Sequence, residues 1–280
     1  MNKSPSEIAG ILVQERMNAG SFNEYPAQIP ASLDVSYQIQ DAAIALWNSD
    51  IIGWKIGRLA PDLHEVHNSE RLAGPIFRNA LKHSKSEAVE IPIYENGFAA
   101  VEAEFVFEIA YDADINKTDY TDDSAADLIS CVYGGVEMAG SPIKDINSYG
   151  PCVVASDFGN NFGLILGGKL ADINSAADLS PDNCRKYTAA TNFGKQTMGV
   201  GGLFSMPGGP LKAIAWLAGH LAKRGLPLKK GQLISSGAST GIHDIGINKS
   251  AKVVFGVDAK DIVSIDINTR PLLVGDEFLP

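Results

Sequence analysis

Glu102 and Glu104 lie two residues apart in the stretch Val101-Glu-Ala-Glu-Phe-Val-Phe107. The β-branched and aromatic neighbours mark a strand, where side chains alternate between faces. Both carboxylates therefore project one way, while Val101, Ala103, Phe105 and Phe107 project the other way into a core. Two like charges roughly 7 Å apart on a strand repel unless a cation lies between them, and divalent ions with oxygen ligands are the usual solution. Glu137 lies further on, inside the apolar run Cys131-Val-Tyr-Gly-Gly-Val-Glu-Met-Ala139. A bare glutamate there is costly and needs a cation, an arginine or a proton. Taken alone, the pair is better explained by an edge strand whose acidic face, shared with Val106 and Glu108, meets solvent. Glu137 shifts the reading toward a three-carboxylate site for a hard divalent cation.

A second candidate is Lys55 in Ile51-Ile-Gly-Trp-Lys-Ile-Gly57. Alternation places Ile52, Trp54 and Ile56 on one face and Gly53, Lys55 and Gly57 on the other. The flanking glycines leave room for a small molecule to reach the ammonium. A lysine facing solvent, with the glycines marking a bulge, is the alternative. Ser156-Asp-Phe-Gly-Asn-Asn161 is a polar insertion between apolar runs and makes Asp157 and Asn161 candidates for substrate binding. His64-Glu-Val-His67 lacks the i, i+4 spacing of a zinc-protease helix and reads as surface helix. Gly199-Val-Gly-Gly202 lacks the spacing of a dinucleotide or phosphate loop. Cys131, Cys152 and Cys184 are odd in number and show no paired-ligand spacing, so reduced thiols are expected.

The elements that must position these groups follow from periodicity. Ser4-Pro-Ser-Glu7 predicts a capping box and a helix to about Met17. A linker over 22–32 follows, and Asp34 is expected to cap a second helix with Ile39, Ala43, Leu46 and Trp47 on one face. A further short helix is expected over Pro61 to Ala73. Strands are expected from Glu87 to Ala110, with Glu95-Asn-Gly97 as a turn, and again around Glu137, Leu233–Ala238 and Ala251–Ile267. The acidic stretch 112–127 reads as a loop entering a short helix. Lys212 to Arg224 is a helix closed by Gly225 and Pro227. The whole is an α+β protein, divided as a helical part with the first strand over 1–75 and a strand-rich catalytic domain over 76–280.

The chain has 280 residues, 45% of them hydrophobic and 20% charged, enough for a substantial core. A net charge of −10 argues against nucleic acid or an anionic membrane as partner. No apolar stretch follows a basic start, and no run of apolar residues is long enough to span a bilayer, so a cytoplasmic protein is expected.

Several motifs together are similar to those of the 2-hydroxypenta-2,4-dienoate (2-keto-4-pentenoate) hydratases and the related 4-oxalocrotonate decarboxylases, within the fumarylacetoacetate hydrolase superfamily. They are Gly53-Trp-Lys-Ile-Gly57, Val101-Glu-Ala-Glu104, the isolated Glu137, Pro210-Leu-Lys-Ala-Ile-Ala-Trp-Leu-Ala218 and Ile234-Ser-Ser-Gly237, in matching order over nearly the whole chain. The resemblance implies a twisted mixed β-roll (fumarylacetoacetase C-terminal-like) with an N-terminal helical part, and a homo-oligomer. It also implies Mg²⁺ or Mn²⁺ on Glu102, Glu104 and Glu137, and a catalytic Lys55. Ser236-Gly237 stands where relatives place a Thr-Gly near the substrate carboxylate. In Gly74-Pro-Ile-Phe-Arg-Asn79, Asn79 occupies the place of a usual aspartate in the catalytic set. Its amide can hold water or a substrate oxygen but cannot take a proton.

The activity implied is a hydratase of aromatic-compound catabolism, adding water to a small 2-hydroxy-2,4-dienoate to give a 4-hydroxy-2-oxo acid. Decarboxylation of a 2-oxo-3-enedioate is the runner-up, since it passes through a similar enolate. Acylpyruvate hydrolysis needs a histidine and glutamate to activate water, and His64 and Glu65 are adjacent rather than on one helix face. A noncatalytic metal-binding protein on the same fold is the reading from a different class.

Overall fold

In the computed structural model, which describes residues 3–280, local chemistry accounts for most of the element boundaries. Helix α1 (Pro5–Met17) opens with the expected reciprocal bonds between Ser4 and Glu7. Helix α2 (Leu33–Leu46) is capped by Ser32 rather than Asp34, because the Ser32 hydroxyl reaches the Val35 amide and leaves Asp34 in the first turn, where a negative charge suits the helix dipole. Ile39, Ala43 and Trp47 are buried as expected, but Leu46 is exposed.

Strand β1 (Ile51–Arg58) leads into α3 (His64–His67), which ends at Asn68 with φ of +48°. The helix expected as far as Ala73 is thus cut short. The chain turns back as β2 (Arg71–Phe77), antiparallel to β1 and at the edge of its sheet, where the missing N–H of Pro75 breaks no ladder. Next come β3 (Leu81–His83), β4 (Val89–Ile93), β5 (Phe98–Ile109), α4 (Asp122–Ala126), β6 (Ile129–Ser141), α5 (Pro151–Ser156) and β7 (Asn161–Asp172). The chain continues through α6 (Pro181–Cys184), β8 (Tyr187–Phe193), β9 (Gln196–Gly202), α7 (Gly209–Lys223), β10 (Leu233–Ser235), β11 (His243–Asp244), β12 (Ser250–Val257) and β13 (Lys260–Pro271).

Two curled sheets result. The larger, eight-stranded, runs β2-β1-β10-β5-β6-β7-β3 with β11 also paired to β5, and the smaller runs β4-β13-β12-β8-β9. The sheets are mixed, since β1 pairs parallel with β10 and antiparallel with β2. The Glu95-Asn-Gly97 turn passes between sheets rather than closing a hairpin, while β12 and β13, over the stretch expected to be strand, pair antiparallel as a hairpin. The boundary expected after residue 75 falls inside β2, and both β1 and β2 are integral to the larger sheet.

Strand β5 is central. It pairs with β6 on one side and with β10 and β11 on the other, which overturns the edge-strand reading of Glu102 and Glu104. Its apolar face is fully buried, and Phe105 meets Phe255 of β12 edge-on at 5.5 Å, joining the two sheets. Gly134 on β6 makes that contact possible, since a Cβ there would lie 2.6 Å from the Phe255 ring. Among the described residues no helix is long and apolar enough to cross a membrane.

Candidate metal centre

The antiparallel register of β5 and β6 sets Glu102 directly opposite Glu137 and Glu104 opposite Gly135. A ligand oxygen from each of Glu102, Glu104 and Glu137 can be chosen such that all lie within 4.8 Å of one another, and all three residues are buried. Glu104 Oε2 accepts from the Ser235 hydroxyl and, at 2.9 Å, from the Gly237 amide. Glu137 Oε1 accepts from Asn161 Nδ2 at 3.0 Å and faces Lys55 Nζ at 3.3 Å. The remaining oxygens tell more. Glu102 Oε1, Glu104 Oε1 and Glu137 Oε2 are buried with no hydrogen-bond partner among the described residues, and leaving such acceptors unmet costs about 1–3 kcal/mol each, more when charged.

Three carboxylates against one ammonium leave two formal negative charges in a buried site. An all-oxygen set of this kind fits a hard divalent cation such as Mg²⁺ or Mn²⁺, which would satisfy the three orphaned oxygens and cancel the charge. Without it the electrostatics are strained. Burial, and after it the charge of Glu137, pushes the Glu102 carboxyl up to about 8. Glu104 is also held well above the carboxylate range, by burial and then by Glu137 and Glu102. For Lys55, burial pulls its pKa down, but the charges of Glu137, Glu102 and Glu104 outweigh this and the net shift is upward, so it stays an ammonium.

Lys55 lies on β1 as expected, buried, and donates to Gly159 O and Asn160 Oδ1, both at 3.0 Å. These acceptors belong to a turn in which Phe158, Gly159 and Asn160 all have positive φ. For L-residues that conformation is disfavoured by roughly 1–2 kcal/mol each. The turn also touches backbone to backbone. A Cβ on Gly74 would lie 2.0 Å from Phe158 O, so glycine is required there. Sequence reasoning did not single out Asn160, although asparagine among the few residues that tolerate positive φ was a usable signal. A bulge between Ile51 and Gly53 corrects the expected face of Ile52, which joins Ile76, Val106, Leu164, Leu166 and Leu233 in a second apolar cluster.

Lys55, Glu102, Asn160, Ser236 and Gly237 line one cavity of about 430 Å³, with apolar walls that include Leu59, Leu72 and Met206. The Ser236 hydroxyl has no hydrogen-bond partner among the described residues. Other candidates are placed elsewhere. Asp157 is turned away from the cavity and bound by Arg16 and Ser141, so its expected contact with substrate is replaced by an internal ion pair. Asn161 holds Glu137 rather than lining the cavity. Asn79 donates to Phe278 O and lines a surface hollow with Asp50 and Arg78, outside the cavity that holds Lys55. His64 meets Leu59 O at 3.0 Å, and His67 faces the Cys152 thiol. All three cysteines are free and buried.

No protein-family model and no curated protein sequence matches the chain. Solved structures do. 4-Oxalocrotonate decarboxylase from Pseudomonas putida G7, complexed with magnesium and adipate, is similar with a TM-score of 0.71 at 16% identity, over 95% of this chain and 97% of that one. The same enzyme with calcium and acetate gives 0.70 at 18%, over 95% and 96%. The chain has the fumarylacetoacetate hydrolase fold. A yeast protein of the fumarylacetoacetate hydrolase family shares it with a TM-score of 0.52 at 12% identity, over 81% of this chain and 95% of that one. Within this fold the expected twisted mixed sheets are present, and the buried acidic cluster lies on two central strands of the larger one.

Proposed function

We propose that the chain is a divalent-metal-dependent hydratase that adds water to a small 2-hydroxy-2,4-dienoate, or its 2-oxo tautomer, to give a 4-hydroxy-2-oxo acid. The observation that carries this is the set of three partnerless carboxylate oxygens beside Lys55, next to a cavity of small-molecule size. When bound, Mg²⁺ or Mn²⁺ supplies Lewis-acid stabilisation of negative charge developing on the 2-oxo oxygen.

The chain's own residues do the rest. Glu102, Glu104 and Glu137 hold the cation, with Ser235, Gly237 and Asn161 fixing the orientation of two of them. The Lys55 ammonium, steadied by Asn160 and Gly159, is the group placed to hold the substrate carboxylate or to move a proton at Nζ. Ser236 offers a free hydroxyl to the carboxylate. Leu59, Leu72 and Met206 keep bulk water from the reacting carbons. The test is loss of dienoate absorbance on adding protein and Mg²⁺, abolished by a chelator. Binding of a 2-oxo acid with no turnover of dienoate, oxalocrotonate or acylpyruvate would assign the protein to ligand binding alone.

One observation favours a second reading, decarboxylation of a 2-oxo-3-enedioate. Arg58 and Arg71 are cross-strand partners on β1 and β2 and line the same cavity as Lys55. They set positive charge where a second carboxylate could lie, and the magnesium-bound solved relative holds adipate, a dicarboxylate. Comparing kcat/KM for the monocarboxylate dienoate and the enedioate, in the wild type and in Arg71→Leu, separates the two. A loss confined to the enedioate supports the second reading.

A further inference from the structure

Helix α1 sends one charged side chain into the protein interior, and its target is the turn behind the cavity. Arg16 is 1% exposed. Its guanidinium grips the Asp157 carboxylate twice, Nε to Oδ1 at 2.6 Å and Nη2 to Oδ2 at 2.9 Å, in the fork geometry that suits arginine. It also donates to the carbonyls of Asp157 at 3.2 Å, Gly140 at 3.1 Å and Asn161 at 3.3 Å, and its Cζ lies 5.0 Å from the centre of the Phe158 ring. The bonds to residues 157 and 161 fall on the two ends of the segment in which Phe158, Gly159 and Asn160 have positive φ. A strained turn persists only where its surroundings fix it, and here one buried guanidinium ties down both ends.

What the turn presents explains why it must be held. Asn160 Oδ1 and Gly159 O accept from Lys55, and Asn161 Nδ2 donates to Glu137. Arg16 itself is not among the residues lining the cavity. We infer that Arg16 and Asp157 are positioning residues for the carboxylate cage. By pinning both ends of the 157–161 turn they hold Asn160 on Lys55 and Asn161 on Glu137, and so set the cation affinity of the cluster from a helix that lines no part of the cavity. The effect on affinity rests on the metal reading above, whereas the pinning of the turn does not.

A merely structural ion pair would lower stability and leave affinity alone, so the test measures both on the full chain. Mn²⁺ binding is followed by calorimetry, melting temperature by fluorescence, and hydrogen exchange at the amides of residues 158–161 in chelator. The variants are Arg16→Met, Asp157→Asn and Arg16→Lys, with Leu12→Ala as a control that removes a buried side chain of the same helix. Asp157→Asn and Arg16→Met are expected to weaken Mn²⁺ binding by about tenfold or more, Arg16→Lys to recover part of it, and Leu12→Ala to lower the melting temperature while staying within about twofold of wild-type affinity. Exchange at 158–161 should speed up in the first two and not in the control. Should Arg16→Met fail to fold, the near-isosteric Asp157→Asn decides the matter. Wild-type affinity and exchange in Asp157→Asn, or equal weakening by Leu12→Ala, overturns the inference. If the wild type binds no Mn²⁺, the metal reading falls and the exchange rates alone decide whether the turn is pinned.

Discussion

Glu102 and Glu137 face each other across the β5–β6 ladder as a direct pair, both buried. Like charges directly opposite on adjacent strands are destabilising, and Glu104 on the same face adds a third. Such an arrangement is stable only with protons or a cation inside it. Glu102→Gln should therefore raise the melting temperature of the metal-free protein, by roughly 2–4 °C per kcal/mol of relieved repulsion. The same variant should lose most of the gain that the wild type shows on adding Mg²⁺. Thermal melts with chelator and with Mg²⁺ check both, and a destabilised metal-free variant would contradict the account.

The same crowding fixes a pH dependence. Burial and the charge of Glu137 raise the Glu102 carboxyl from 4.5 to about 8, so the folded metal-free protein keeps a proton there that the unfolded chain has lost. Between those values the folded state binds more protons. Metal-free stability must then fall as pH rises through this window and level off above it. Glu104, shifted in the same direction, adds to the effect. The raised Lys55 contributes stability throughout the window and loses it only in the alkaline range. Since the cation displaces the proton, its binding tightens across the same interval and releases protons. Melts at about pH 5.5 and about pH 8 should show a larger Mg²⁺ gain at the higher value.

Lys55→Met separates chemistry from metal binding. The ammonium contacts Glu137 but contributes no ligand atom. Turnover should fall by roughly 10²–10⁴-fold, the range for a positioned proton-transfer group, while Mn²⁺ still binds. Retention of full activity would remove Lys55 from the mechanism.

How much of this was legible beforehand depends on the range over which each signal acts. Alternation along one strand was enough to put Glu102 and Glu104 on a shared face, and the apolar run around Glu137 was enough to flag a buried charge. The five motifs carried the fold, and Lys55 lies where its strand pattern put it. Pairing was beyond reach. That β5 is central rather than an edge depends on β10 and β11, which are distant in sequence. Asp157 looked like a ligand group because its local context is polar, and its partner Arg16 lies 141 residues away. The helix extended to Ala73 failed for a related reason, since pairing with β1 decides that Arg71–Phe77 is a strand.

Gly74 offers a test of how tightly the turn is seated. Alanine there would put a Cβ 2.0 Å from Phe158 O, a contact with backbone that no rotamer change relieves. Gly74→Ala should destabilise the protein by about 1–3 kcal/mol, as over-packing typically does, and weaken Mn²⁺ binding through Asn160 and Asn161. Urea unfolding and calorimetry read the two effects. Gly10→Ala, where a Cβ meets nothing within 4 Å, is the matched control.

All three carboxylates come from one pair of neighbouring strands, whereas Leu59, Leu72 and Met206 of the cavity wall come from other parts of the chain. The carboxylate cluster that could hold a cation and the apolar wall of the cavity are therefore separable parts of the molecule. Directed evolution confined to those wall positions should be able to exchange one substrate for another while leaving the ion's hold on the protein unchanged.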